Sequence, residues 1–207
     1  MTPNKSIGRF VSSGEICCIK DFPLDVLGWL YKYYVFDDLI YKYSLTTAYN
    51  ELYKHSILVL PVRTDDGTIV AYQKRYFTPE KRFFSKEIQN HIFLCGHYDT
   101  DTVVLVEDYI SAIRIGEIEN CICLFGLHIN QNVLDYVVNN FKYVKVWLDN
   151  DEPGNKASIK IMRKLKSRYE RKLKERAFVL RESQIITKIT TENDPKYYSN
   201  SEIQGYL

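Results

Sequence analysis

Val103-Val104-Leu105-Val106-Glu107-Asp108 and Val144-Lys145-Val146-Trp147-Leu148-Asp149-Asn150-Asp151 are two apolar, β-branched runs that each end in carboxylates. Short runs of this kind read as strands buried in a parallel sheet. Side by side in one sheet, they bring Glu107, Asp149 and Asp151 to its carboxyl edge, where open α/β sheets place their ligands. Three crowded carboxylates repel one another, and taking them out of water is costly unless a cation offsets the charge. The pattern therefore points to a divalent ion, Mg2+ or Mn2+, and to phosphate chemistry.

The surrounding sequence keeps the rhythm of such a sheet. Residues 109–116 read as a short helix, 121–125 as a strand, 132–140 as a helix and 143–149 as the next strand. A long helix over 156–176 carries the apolar stripe Ala157, Ile161, Leu165, Tyr169 and Leu173, and 177–180 and 185–189 supply further strands. Asp194-Pro195 leads into a last helix opened by the capping box Ser199-x-x-Glu202. Alternation of strand and helix predicts an α/β fold with a parallel sheet flanked by helices. Glu152-Pro153-Gly154-Asn155-Lys156-Ala157 turns the chain sharply from strand to helix and leaves the two aspartates on a short exposed segment.

The N-terminal half has another pattern. Residues 1–20 are weakly patterned, with a short strand expected over 16–19. Residues 23–53 read as helical, with Leu24, Leu27, Leu30, Tyr31 and Tyr34 on one stripe and Leu39, Ile40 and Tyr43 on a second. Seven of the seventeen tyrosines lie here, the packing surface of a small helical subdomain. Two β-rich runs, 57–63 and 68–76, flank Thr64-Asp65-Asp66-Gly67 and predict a hairpin. Lys81-Arg82-Phe83-Phe84-Ser85 follows as a third strand. Arg63, Lys74, Arg75, Lys81 and Arg82 then share one small antiparallel sheet, a phosphate-binding face opposite an acidic site. The expected division is an α+β subdomain over 1–100 and the parallel-sheet domain over 101–207.

A hydrophobic content of 45% and a charged content of 26% are those of a globular protein, and the net charge is only +2. The charge is unevenly distributed: residues 156–176 hold ten Lys or Arg against two Glu, a wet helix face or an attraction for nucleic-acid phosphates. None of the five cysteines, Cys17, Cys18, Cys95, Cys121 and Cys123, forms a C-x-x-C pair, so reduced, buried thiols are expected. With no membrane-length apolar run and no signal-peptide pattern, the expected location is a reducing cytoplasm. His55, His91, His97 and His128 lack metal-ligand spacing, and no Walker loop is present.

Two metal ions about 4 Å apart would serve nucleotidyl transfer or hydrolysis equally well, so the carboxylates alone leave polymerase and nuclease open. Here the motifs acquire a family likeness. The Glu107 and Asp149-Asn150-Asp151 segments resemble the Toprim domain of DnaG-type and phage primases, topoisomerases and some nucleases. Leu60-Pro61-Val62-Arg63 with its Gly67 turn, Lys81 to Ser85, His91 to Gly96, the helical stretch over 28–44 and Asp194-Pro195-Lys196-Tyr197-Tyr198 resemble primase segments in primase order. The likeness runs from about residue 21 to residue 207 and separates primases from topoisomerases.

The resemblance implies a DNA primase core that makes short RNA primers from NTPs on single-stranded DNA during DNA replication. It makes Glu107, Asp149 and Asp151 the catalytic metal ligands, with Asp194 and Asp108 as further acidic partners. Arg63, Lys74, Arg75, Lys81, Arg82 and Lys156 become contacts to nucleotide or template. Two departures stand out: most Toprim members have Gly at Asp108 and Asp at Ser111. The cysteine set of a primase zinc ribbon is missing, so the likeness is to a minimal RNA-polymerase domain of bacteriophage or mobile-element type. Template selection and contact with a replicative helicase are then expected from other subunits or from residues 1–20. A Toprim-type metal-dependent nuclease and a catalytically degenerate nucleic-acid or replisome-binding module are the competing expectations.

Overall fold

The two carboxylate-tipped runs are adjacent parallel strands. In the computed structural model, which describes residues 19–50, 55–63, 68–78, 83–86, 88, 91–175 and 184–207 (backbone alone at 49, 50, 83–86, 174 and 175), they occupy the centre of a five-stranded sheet. Its strands are β5 (Phe93–Cys95), β6 (Thr102–Val106), β7 (Cys121–Cys123), β8 (Tyr143–Val146) and β9 (Ile185–Lys188), in the order β5-β7-β6-β8-β9. All are parallel to their neighbours except β5, which runs antiparallel to β7. Strand β6 pairs with β8 in the register Val104 with Lys145 and Leu105 with Val146, and the Trp147 amide extends the ladder to the Leu105 carbonyl.

The period-two alternation of strand side chains divides the core into two layers. Val103, Leu105, Val144 and Val146 pack with helices α4 (Gln131–Asn140) and α5 (Glu152–Glu175). Val104, Val106 and Trp147 face the other way, onto helix α3 (Tyr109–Ile115) and the N-terminal elements. Helix α5 begins at Glu152, before the expected start, because Asp151 caps it and Pro153 falls in the first turn, where no amide hydrogen is needed. Ala157, Ile161 and Leu165 are buried as the stripe requires. Leu173 is not: it is 38% exposed, and Lys172 turns inward instead, its Nζ donating to the Val138 carbonyl at 2.8 Å.

Helices α1 (Leu24–Lys32) and α2 (Asp37–Lys42) realise the helical reading of the N-terminal region only in part. Residues Thr46–Asn50 form strand β1, not helix. Ser44 adopts a left-handed φ of 50°, the Leu45 amide returns to the Ile40 carbonyl, and the β-branched Thr46 and Thr47 then pair with strand β2 (His55–Arg63). Strands β3 (Ile69–Tyr76) and β4 (Phe83–Lys86) complete an antiparallel sheet ordered β1-β2-β3-β4. The β2–β3 register shifts between Val62 and Arg63, a bulge at the strand end. The turn at 64–67, Lys81, Arg82, Cys17, Cys18, the strand expected over 177–180 and all but the last residue of the strand expected over 16–19 lie outside the described residues; Ile19, that last residue, opens a single tight helical turn over Ile19–Asp21.

Leu58, Leu60 and Val62 of the small sheet share one buried cluster with Val26, Leu30, Val104, Val106 and Tyr109. The Tyr109 hydroxyl donates to the Pro61 carbonyl at 2.9 Å inside that cluster and ties α3 to β2. Of the clustered tyrosines, Tyr33 is buried here, while Tyr31, Tyr34 and Tyr41 remain exposed. Cys95, Cys121 and Cys123 are free, buried thiols, and burial pushes all three well above the usual thiol range. Among the described residues, no helix is long and apolar enough to cross a membrane.

Candidate metal centre

Parallel neighbours leave a sheet at the same edge, so Glu107, directly after β6, and Asp149, shortly after β8, emerge together. Asp108 follows Glu107 as the N-cap of α3, its Oδ1 accepting from the Ile110 and Ser111 amides at 3.0 and 3.1 Å. The Ser111 hydroxyl donates to Asp108 Oδ2 at 2.7 Å. The two departures from the usual Toprim pattern are thus one unit, a carboxylate at 108 held by a hydroxyl one turn later.

Asp151 caps α5 in the same way, its Oδ1 accepting from the Gly154 amide at 2.7 Å. The turn is so tight that a Cβ on Gly154 would lie 2.2 Å from the Asp149 carbonyl oxygen and 2.9 Å from Asp151 Oδ1. Only a residue without a side chain lets the helix start this close to the strand end.

The last acidic residue, Asp194, arrives on the loop between β9 and the tight turn Pro195–Tyr197. That loop is anchored from beneath. Buried Trp147 donates from Nε1 to Thr191 Oγ1 at 2.9 Å, and Thr191 donates on to the Asn193 carbonyl at 2.7 Å. The Asn193 amide donates to the Tyr198 hydroxyl at 2.9 Å, and buried Arg114 holds the Tyr198 carbonyl at 3.0 Å.

This anchoring delivers Lys196 into the carboxylates. Its Nζ lies 2.9 Å from Asp194 Oδ2, 3.1 Å from Asp108 Oδ2 and 3.9 Å from Asp149 Oδ2. Burial alone would lower the lysine pKa, but the three carboxylates outweigh it and push it up. Burial raises the Asp149 carboxyl to about 7; Lys196 opposes the rise, and Asp108, Asp194 and Glu107 add to it. Glu107 is likewise raised, first by burial and then by Asp108 and Asp151. One ammonium thus faces three of the five carboxylates, and the upward shifts of Glu107 and Asp149 come first from burial and then from their acidic neighbours.

The donor chemistry fits a hard divalent cation: the side chains are all carboxylates, and Asp149 Oδ1 is buried with no hydrogen-bond partner. Among the described residues, however, no three carboxylates, histidines or cysteines converge as a preformed ligand cage. The interposed Lys196 draws Asp108, Asp149 and Asp194 toward itself. His97 and His128 are exposed and take no part in the cluster.

The predicted basic residues divide. Arg75 stacks its guanidinium 4.0 Å from the Trp29 ring centroid, and Lys74 Nζ lies 5.1 Å from that of Tyr72. Arg63 is exposed at the end of β2, and its field reaches Tyr109. Lys156 pairs with Glu152 on the exposed side of α5 and is not drawn into the cluster. A row of rings, Phe77, Trp29, Tyr33 and Tyr197, with successive centroids 6.0, 5.1 and 5.1 Å apart, connects the small sheet with the turn that carries Lys196. Sequence reasoning placed Lys196 in a recognisable segment without assigning it a role; a basic residue inside an acidic signature was the available signal. Thr191 and Tyr33 carried none.

The open parallel sheet joined through one core to a small antiparallel sheet is a fold this chain shares with solved primase catalytic cores. Residues 105–183 match the Toprim-like family model. Among solved structures, the zinc-binding and RNA polymerase domains of Aquifex aeolicus primase superpose with a TM-score of 0.66 at 13% identity, covering 89% of this chain and 55% of that one. The DnaG primase catalytic domain bound to single-stranded DNA gives 0.65 at 10% identity, covering 88% and 70%. The primase fragment of the bacteriophage T7 primase-helicase gives 0.51 at 15% identity, covering 81% and 65%. The chain therefore spans little more than half the length of that Aquifex chain. No curated protein matches it in sequence.

Proposed function

We propose that the chain is the RNA-polymerase core of a DNA primase, joining NTPs into short RNA primers on single-stranded DNA by metal-dependent nucleotidyl transfer. The observation that carries this reading is the set of carboxylates from separate elements at the carboxyl edge of a Toprim-like sheet. In this reading Glu107, Asp149 and Asp151 hold Mg2+ or Mn2+, with Asp108 and Asp194 completing the acidic surround. Bound there, the cation would lower the pKa of the attacking hydroxyl and neutralise the leaving pyrophosphate.

The protein's own groups supply the rest. Arg63, Lys74 and Arg75 offer positive charge to triphosphates and template phosphates, and Lys81, Arg82 and Lys156 are the further basic residues of this reading. Tyr197, the exposed end of the aromatic row, offers a stacking face for a base beside the carboxylates. Residues 1–100 then act as the nucleotide- and template-facing subdomain and 101–207 as the Toprim domain, with β5 crossing into the sheet of the latter. A replicative helicase or a separate template-reading subunit is the expected partner.

The test is primer synthesis: purified protein with Mg2+ or Mn2+, single-stranded templates and labelled NTPs yields short RNA, and Asp149→Ala abolishes it. Shortening of labelled nucleic acid without NTPs would instead identify a nuclease. Salt-sensitive DNA binding that survives Asp149→Ala, with neither activity, would identify a binding module.

A further inference from the structure

Among the described residues, Lys196 is the positive side chain that reaches into the candidate metal centre. Its three partners come from three places in the fold: Asp108 from the start of α3, Asp149 from the end of β8 and Asp194 from its own loop. The lysine side chain is only 15% exposed. Its backbone is fixed by Pro195, by the Tyr197 amide on the Asp194 carbonyl and by the Tyr198 contacts that lead back to Arg114. A long flexible cation on the surface finds carboxylates by chance; this one is built into the loop that presents it.

We infer that the Lys196 ammonium permanently occupies one of the cation positions of this carboxylate cluster, so that the centre loads a single divalent ion. This rests on the metal-dependent reading above. Of the three oxygens facing the ammonium, Asp194 Oδ2 and Asp108 Oδ2 lie within hydrogen-bond reach, and Asp149 Oδ2, at 3.9 Å, faces it as a charge partner. A second divalent ion at the same point would meet a fixed positive charge and lose Asp108 and Asp194 as ligands. What remains is Glu107, Asp151 and the buried Oδ1 of Asp149, which has no hydrogen-bond partner among the described residues. Among the described residues these groups are not gathered as a preformed cage, so a single ion, with waters or phosphate oxygens completing its shell, would have to draw them together. Lys196 is thus a positioning residue that sets metal count: it holds Asp149 through Oδ2 and leaves Oδ1 for the ion.

The experiment counts Mn2+ bound to the full chain by electron paramagnetic resonance of the free ion, with wild type, Lys196→Gln and Lys196→Arg. Wild type and Lys196→Arg are expected to bind one ion, and Lys196→Gln two, the second at least about tenfold tighter than any second ion on wild type. Equal counts and affinities for wild type and a folded Lys196→Gln overturn the inference while leaving the primase reading intact. So does a wild type that binds two ions, which decides the matter even if Lys196→Gln fails to fold. A wild type that binds no Mn2+, or binds it unchanged after Asp149→Asn, fails the metal-dependent reading itself.

Discussion

Gly154 shows how much one missing methyl group matters at this site. Its Cα faces the Asp149 carbonyl and the Asp151 carboxylate at distances no Cβ would tolerate. The obstruction includes backbone, so it cannot be relieved by turning a side chain aside. Gly154→Ala should therefore push the start of α5 away from the end of β8, lower stability by about 1–3 kcal/mol and separate Asp149 from Asp151. Chemical denaturation and Mn2+ titration read the two effects. An alanine variant with unchanged midpoint and metal affinity would show that the turn has slack the geometry does not indicate.

At the scale of elements, the site depends on how a loop is fastened to a strand. The loop after β9 carries Asp194 and Lys196, and its buried fastening is the hydrogen bond from Trp147 to Thr191. Thr191→Val keeps the shape but leaves the indole N–H buried without an acceptor, a loss of about 1–3 kcal/mol. The loop should loosen as well, so amide exchange at 192–198 should accelerate while that of β6 and β7 stays slow. Exchange unchanged in the loop would assign its order to the Tyr198 contacts alone.

For the whole molecule, the centre is a local source of instability that a cation should relieve. Asp149 titrates near 3.8 in the unfolded chain and near 7 in the folded one. Between those values the folded state holds a proton that the unfolded state has released, so stability falls as pH rises through the window and stays low above it. Glu107 is shifted in the same direction and adds to the slope. In a chelator, the thermal midpoint should drop from about pH 5 to about pH 7, and Asp149→Asn should flatten the drop. Millimolar Mg2+ or Mn2+ should restore the wild-type midpoint most strongly at and above neutral pH, because the ion binds only the folded, deprotonated cluster. A midpoint that is level or rising across that range without metal would contradict the burial of these carboxylates.

Periodicity and turn chemistry were sufficient to read the alternation of strands and helices from residue 102 through the long helix, because buried parallel strands advertise themselves as unbroken β-branched runs and the helix by its stripe. The carboxylates at strand ends were legible for the same reason: a strand's exit point follows from its pattern. Thr46–Asn50 was misread as helix because its strand character comes from pairing with β2, a partner the local sequence does not name. Leu173 and Lys172 exchanged roles because a regular four-residue spacing drifts around a helix with 3.6 residues per turn. Local sequence determines which side chains stand at the end of which element. Whether a cation from 88 residues away enters their midst, as Lys196 does beside Asp108, is decided only when loops, strands and a buried tryptophan close on one another in three dimensions. The field of a charge depends on distance through space, and separation along the chain does not set it.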